Sequence, residues 1–200
     1  MDIDIRKGIE IYNLVFQTPF PWGRKKLTPD KPIHILSAGR PRWAAQLCKL
    51  AGKHAASIGK THIRITDISK FMDIYGKSRL GDLYKEHSHQ CNSLVNLIES
   101  FSGCNRRYTT QNLLKHITDK IIRRYGLPKI DGVEQGRDSL YIAHFLFIAG
   151  FIHGRDDSGN AELSFVNYDE RPHLLLSTAN LDDKLVWEIH PSYRTVLKIK

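Results

Sequence analysis

Gly59-Lys60-Thr61 carries the ending of a phosphate-binding loop, G-x-x-x-x-G-K-[ST], in which backbone N–H groups and the lysine cradle a nucleotide's phosphates. The position that should hold its first glycine is His54, and apolar residues at helical spacing precede the tripeptide where a strand is required. The resemblance to such a loop is therefore accidental. His87-x-His89-x-Cys91, with Cys104 further on, offers zinc-ligand types. Residues i and i+2 of a helix point to different faces, however, and neither a C-x-x-C nor an H-x3-H pair accompanies them. Asp156 and Asp157 lack the alternating oxygen ligands and closing Glu of a calcium loop, and read instead as a turn. Cysteines and histidines are present for a Cys-His nucleophile, but no oxyanion element or orienting partner is identifiable. Nor is there a βαβ series or an apolar strand closing on paired acids for magnesium. No catalytic residue and no metal site is assigned, and no cofactor is expected on the chain itself.

Charge is the positive clue. The 30 Lys and Arg against 21 acids give a net +9. The excess lies before residue 131, where the balance is +13, while the remainder carries −4. A basic region of this kind attracts phosphate-rich partners. Arg106, Arg107, Arg123, Arg124 and Arg137 are the candidates for nucleic-acid contact, made to the backbone and not to base edges.

The elements that would position these groups run from helices to strands. Pro19, Pro21, Pro29 and Pro32 predict an irregular stretch over 18–38. Ala44, Leu47, Cys48, Ala51, Ala55 and Ile58 recur at helical spacing, with Pro41 in the first turn and Gly59 as the stop. Ile65-Thr66-Asp67 reads as a helix entry, and the helix is expected to end at Gly76. Leu94, Leu97, Ile98 and Phe101 give a face within a helical stretch over about 78–103. Thr109 or Thr110 can cap a further helix with Leu114, Ile117 and Ile121 inward, terminated at Gly126-Leu127-Pro128. Residues 129–137 are expected as a loop. An almost wholly apolar helix follows over 138–148, on which Arg137, Tyr141 and His144 share the only outer face. Residues 151–153 and 163–168 then form a hairpin turning at 156–160, and 185–189 add a strand before a turn at Pro191. Helix, helix, then an apolar helix entering a hairpin is the order of a winged helix.

At 200 residues with 41% hydrophobic and 26% charged side chains, a core without staples is expected, and collagen-like or disordered classes are excluded. The longest apolar run, 142–151, is interrupted by His144 and too short for a membrane span. No signal-peptide core is visible at the start, and three cysteines suit reduced thiols, so a cytoplasmic location is expected.

Gly39-Arg40-Pro41-Arg42-Trp43 opening a helix with Leu47-Cys48, and the Ile65-Thr66 entry followed by Tyr75-Gly76-Lys77-Ser78-Arg79-Leu80-Gly81-Asp82-Leu83, resemble the region after the nucleotide core of bacterial P-loop ATPases of the AAA+ and STAND kind. Ala149-Gly150-Phe151-Ile152 and Ile189-His190-Pro191-Ser192-Tyr193-Arg194 are similar to the closing winged helix of the same ATPases, so the resemblance covers about residues 36–200. It implies a lid followed by a winged helix. In that family a lid arginine at a helix start, the sensor-2 position, reaches the γ-phosphate; the matching residue is Arg42, with Arg40 the alternative. His190 falls in the closing motif and is expected to be structural.

The expected architecture is mainly α with a small β-hairpin or wing: residues 1–38 an N-terminal helix and Pro-rich connector, 39–80 a helical lid-like region, 81–200 a winged-helix domain. The expected function is that of a regulatory or adaptor module working with a P-loop ATPase core, on its own chain or a partner's, in defence against phage or DNA maintenance. ATP would be met only through that core; no membrane is expected, and self-association is left open. The alternative is a stand-alone winged-helix nucleic-acid-binding regulator, and a third class is an enzyme of unrecognised type.

Overall fold

The computed structural model describes residues 12–23, 25–132, 138–156, 164–176 and 185–200. The chain is mainly α-helical with small antiparallel sheets, and it forms two compact units, residues 1–75 and 76–200. The sequence divisions, by comparison, fall after residues 38 and 80.

In the first unit the stretch expected to be irregular is ordered. Strands β1 (Phe20–Trp22) and β2 (Lys25–Leu27) pair antiparallel, and helix α1 spans Asp30–Ser37. The prolines permit this because they stand where no helical N–H is needed: Pro29 is the N-cap of α1 and Pro32 lies in its first turn. Helix α2 (Pro41–Ser57) starts with proline in its first turn. It ends at Gly59, whose φ of +68° lets the Gly59 N–H reach Ala56 O at 3.0 Å and the Lys60 N–H reach Ala55 O at 2.8 Å. Its buried stripe is Trp43, Leu47, Ala51 and Ala55, packed with Phe16, Phe20, Leu36, Ile68 and Tyr75. Ile58, expected inward, is exposed. Helix α3 (Ile65–Lys70) begins at the expected Ile65-Thr66-Asp67 entry with Arg64 as its N-cap, and the Arg64 N–H donates to the Asp67 carboxylate at 2.8 Å.

Helix α4 runs Met72–His87, straight through Gly76, which the spacing predicts as a stop. A Cβ at Gly76 would lie 2.6 Å from the Ser192 carbonyl oxygen, so this glycine serves a close approach and not a chain reversal. Gly76→Ala should destabilise the second unit by about 1–2 kcal/mol, overpacking outweighing the roughly 1 kcal/mol of helix propensity gained. Urea unfolding checks this; an unchanged or raised midpoint would mean that the Ser192 segment moves aside freely.

The helical stretch predicted over 78–103 is divided. After α4 come turns in which His87 Nδ1 meets Gln90 Oε1 at 2.7 Å and Cys91 bridges Ile130, and only then α5 (Leu94–Glu99). Strand β3 (Arg107–Thr109) precedes α6 (Thr110–Ile117), whose N-cap Thr109 accepts the Asn112 N–H. A π-helical turn (Thr118–Ile122) and the short α7 (Arg123–Tyr125) prolong it. On α6 the fully buried leucine is Leu113, while Leu114 is partly buried. Helix α8 (Asp138–Ile148) leads into β4 (Ile152–Asp156), β5 (Ser164–Val166), β6 (Val186–Ile189) and a last helix α9 (Pro191–Arg194). The turn expected at 156–160 lies largely outside the described residues.

The four-stranded sheet has the order β3-β6-β4-β5, antiparallel throughout. Its register opposes Tyr108, Trp187 and Gly154 in one row and Arg107, Glu188 and His153 in the next. Opposed residues share a face and successive ones alternate, so one face is apolar and the other charged. The apolar face packs on α8, with the Trp187 and Phe147 rings 5.2 Å apart and Trp187 Nε1 donating to Thr110 Oγ1 at 3.0 Å.

Candidate functional site

Each unit holds sequence-predicted basic residues. In the first, Arg40 is the N-cap of α2 and Arg42 stands in its first turn, both exposed, and that turn has no acidic residue. The Arg40 guanidinium lies over the Trp43 ring, 4.2 Å from its centroid. Trp43 is buried, so this stacking orients Arg40 from below.

In the second unit the basic candidates are not one group. Arg106 and Arg107 are exposed; the Arg106 backbone pairs with Lys200 and Ile189. Arg107 turns to Glu188, Nε to Oε1 at 3.6 Å. Arg123 is exposed and paired with Asp119 at 2.9 Å, one turn earlier on the helix, and Arg124 is exposed beside it. Arg137 lies outside the described residues.

Among the described residues the outer face expected on α8 is buried. Tyr141 and His144 are 6% and 7% exposed, and every residue from Tyr141 to Phe147 is buried. The Tyr141 hydroxyl is held by the backbone N–H and carbonyl of Ile130. His144 packs edge-on to Tyr168, and burial, helped by His173, lowers its pKa. The helix that would read bases in a helix-turn-helix is thus a core element.

The charged face of the sheet is the arrangement that sequence spacing does not reveal. Glu188, 1% exposed, receives Arg155 Nη1 at 2.9 Å, Arg194 Nη2 at 2.8 Å and the more distant Arg107. Burial alone would raise the Glu188 pKa, but Arg194, Arg155 and Arg107 together outweigh it and hold the carboxyl below its ordinary value. Arg194 also donates Nε–H to Ile189 O at 2.8 Å, which locks the end of α9 onto β6. His153, opposite Glu188 on β4, is buried, with its ring 4.5 Å from that of His190. Burial pushes its pKa down to about 4; Asn167 and Glu188 oppose the shift, and Arg194 and Arg79 add to it.

His190 is the N-cap of α9. Its Nδ1 accepts the Ser192 N–H at 3.1 Å, which puts the ring proton on Nε2, and the Ser192 hydroxyl meets the same Nδ1 at 2.6 Å. A serine on a histidine is the beginning of a nucleophilic pair. Here Ser192 is wholly buried and shapes a helix start. Among the described residues no group of three His, Cys, Asp or Glu is gathered as a metal would need, and no helix is long and apolar enough to cross a membrane. His87, His89, Cys91 and Cys104 form no such group. No family model, curated protein or solved structure matches the chain.

Proposed function

We propose that the chain is a regulatory or adaptor module for a P-loop ATPase core carried on the same polypeptide or on a partner, with ATP bound by that core and met at the entry of α2. The observation carrying this reading is the pair Arg40 and Arg42, exposed in the opening turn of a 17-residue helix that has no acid there. Cations at the positive end of a helix dipole oppose it by roughly 0.3–1 kcal/mol, a cost that reverses when an anion docks against them. The order of elements in the second unit also supports the reading. Helix, strand, helix, helix and then three strands, with β6 between β3 and β4 and β5 added at the edge, is an order that a winged helix with one extra strand would have. With α8 buried, such a module is left to pack against protein or to touch nucleic acid through phosphates.

The isolated chain should hydrolyse no ATP. In an assembly with a P-loop core that binds the chain, Arg42→Ala should leave folding and assembly intact and reduce turnover about tenfold or more, as expected for charge-assisted bonds to a phosphate. ATP turnover and gel filtration of wild type and variant provide the check. Unchanged turnover in an intact complex would overturn the sensor role.

The second reading, a stand-alone winged-helix nucleic-acid-binding regulator, is favoured by the exposure of Arg106, Arg123 and Arg124. It requires duplex binding that is nearly sequence-independent and falls steeply with salt.

A further inference from the structure

The first unit contains a hollow of about 210 Å³ lined by Gln17, Lys60, Thr61, His62 and Arg64. Its lining residues carry an ammonium, a guanidinium, an imidazole, a hydroxyl and an amide, and none of the five is an acid. Separate stretches of chain are held together to make it. Phe16 bridges Ile63 in parallel, the Gln17 N–H donates to Ile63 O at 2.9 Å and the Ile63 N–H to Val15 O at 2.9 Å, so Gln17 is fixed beside 62–64. Lys60 follows the left-handed Gly59, and the carbonyls of Ala55 and Ala56 that could repel an anion are already capped by the Lys60 and Gly59 N–H groups. Thr61 Oγ1 and His62 Nδ1 are 2.9 Å apart. The acid nearest in sequence, Asp67, is buried and engaged: one oxygen takes the Arg64 N–H and the other meets His54 Nδ1 at 2.7 Å. Among the described residues neither the Lys60 ammonium nor the Arg64 guanidinium is in an ion pair.

We propose that this hollow binds a phosphoryl group, with Lys60 and Arg64 supplying the charge and Gln17 and the Thr61–His62 pair, which keeps one donor, directed hydrogen bonds. A carboxylate presents two oxygens in one plane and is satisfied by a single guanidinium fork. Lys60, Arg64, Gln17 and one donor of the hydrogen-bonded Thr61–His62 pair instead suit the several oxygens of a tetrahedral oxyanion. The volume is below the roughly 300–1,000 Å³ of pockets that enclose a small molecule, so the phosphoryl group enters and whatever it is attached to stays outside. The site is independent of the role of Arg42: along α2, residues 42 and 58 are about 25 Å apart at 1.5 Å per residue, too far for one phosphate to bridge. Inorganic phosphate and a nucleic-acid backbone offer the same group, and the experiment separates them.

The full chain, labelled with nitrogen-15, is titrated separately with inorganic phosphate, pyrophosphate and a short single-stranded oligonucleotide, with acetate at equal ionic strength as control. Saturable shifts of the amides of Gln17 and residues 60–64 are expected, unmoved by acetate. Response to phosphate or pyrophosphate identifies a free-phosphate ligand, and response to the oligonucleotide alone a backbone phosphate. Lys60→Gln and Arg64→Gln should each weaken binding about tenfold, the worth of one charge-assisted bond. Thr61→Val, which leaves both charges, should weaken it less and serves if a charge variant fails to fold. No shift at these amides with any probe, an equal response to acetate, or undiminished binding in the variants would overturn the proposal.

Discussion

Acidification from pH 7 to pH 4 should remove about 3 kcal/mol of stability from the second unit through His153 alone. With a native pKa of about 4 against an ordinary 6.5, His153 is neutral in the folded protein across this range. Above pH 6.5 both states are neutral and the contribution is flat. Between pH 6.5 and 4 only the unfolded chain takes up the proton, so stability falls by about 1.4 kcal/mol per pH unit; below pH 4 both states are protonated and the loss levels off. The cause is geometric. The ring is buried against His190 and Phe165 on a sheet face that already holds Arg194, and Arg79 adds to the field, so a second positive charge there has neither water nor enough negative charge to meet it. His116 and His144, whose pKa values burial also lowers, contribute with the same sign. Denaturant unfolding at several pH values, for wild type and His153→Gln, measures the effect. The variant should start less stable and show a flatter dependence between pH 6.5 and 4. An undiminished slope would mean that His153 is not the group responsible.

The parts of this fold legible in the sequence are those whose burial repeats at the period of their own backbone. The apolar run over 138–148, the alternating strands around 152–156 and 164–166, and the Trp43-to-Ala55 region of α2 declare themselves because one face, or all faces, meet the core. The unit of charge on the sheet does not. Arg107, Arg155, Glu188 and Arg194 come from four elements, and only the register of β3 and β4 against β6 brings them together. Strand β3 is three residues long, too short to show alternation, and the counts that make residues 131–200 acidic hide two of the arginines that neutralise Glu188. Gly76 fails for a similar reason. Its helix is set by a backbone 116 residues away in sequence, at Ser192, and no local propensity contains that contact. Arg40 and Arg42 were visible as a charged helix entry, whereas the hollow at Lys60 and Arg64 depends on a bridge to Phe16 that no spacing announces.

Glu188→Ala should destabilise the second unit by about 3–5 kcal/mol, the range for removing one partner from a buried ion pair. The carboxylate accepts from Arg155, pairs with Arg194 and is the counter-charge of Arg107, and it is the more deeply buried partner in every pair: 1% exposed against 18%, 21% and 38%. Without it three guanidiniums face one another across β3, β4 and α9. Arg107 can turn to water, but Arg155 and Arg194 are mostly enclosed, and Arg194 is tied to Ile189 O as well. The native network holds Glu188 ionised below the ordinary carboxylate range, so its contribution is present above about pH 4.5 and is lost as pH falls through the native pKa, a window more acidic than that of His153. Glu188→Gln keeps the volume and one acceptor oxygen and should cost less than Ala. If repulsion between arginines is the main term, Glu188→Ala combined with Arg194→Met should be less destabilised than the sum of the two single changes by 1 kcal/mol or more, roughly what neighbouring charges couple by. Strict additivity, or a Glu188→Ala loss below about 1 kcal/mol, would mean that water already screens the cluster and that the charged face of the sheet is not what holds the C-terminal helix in place.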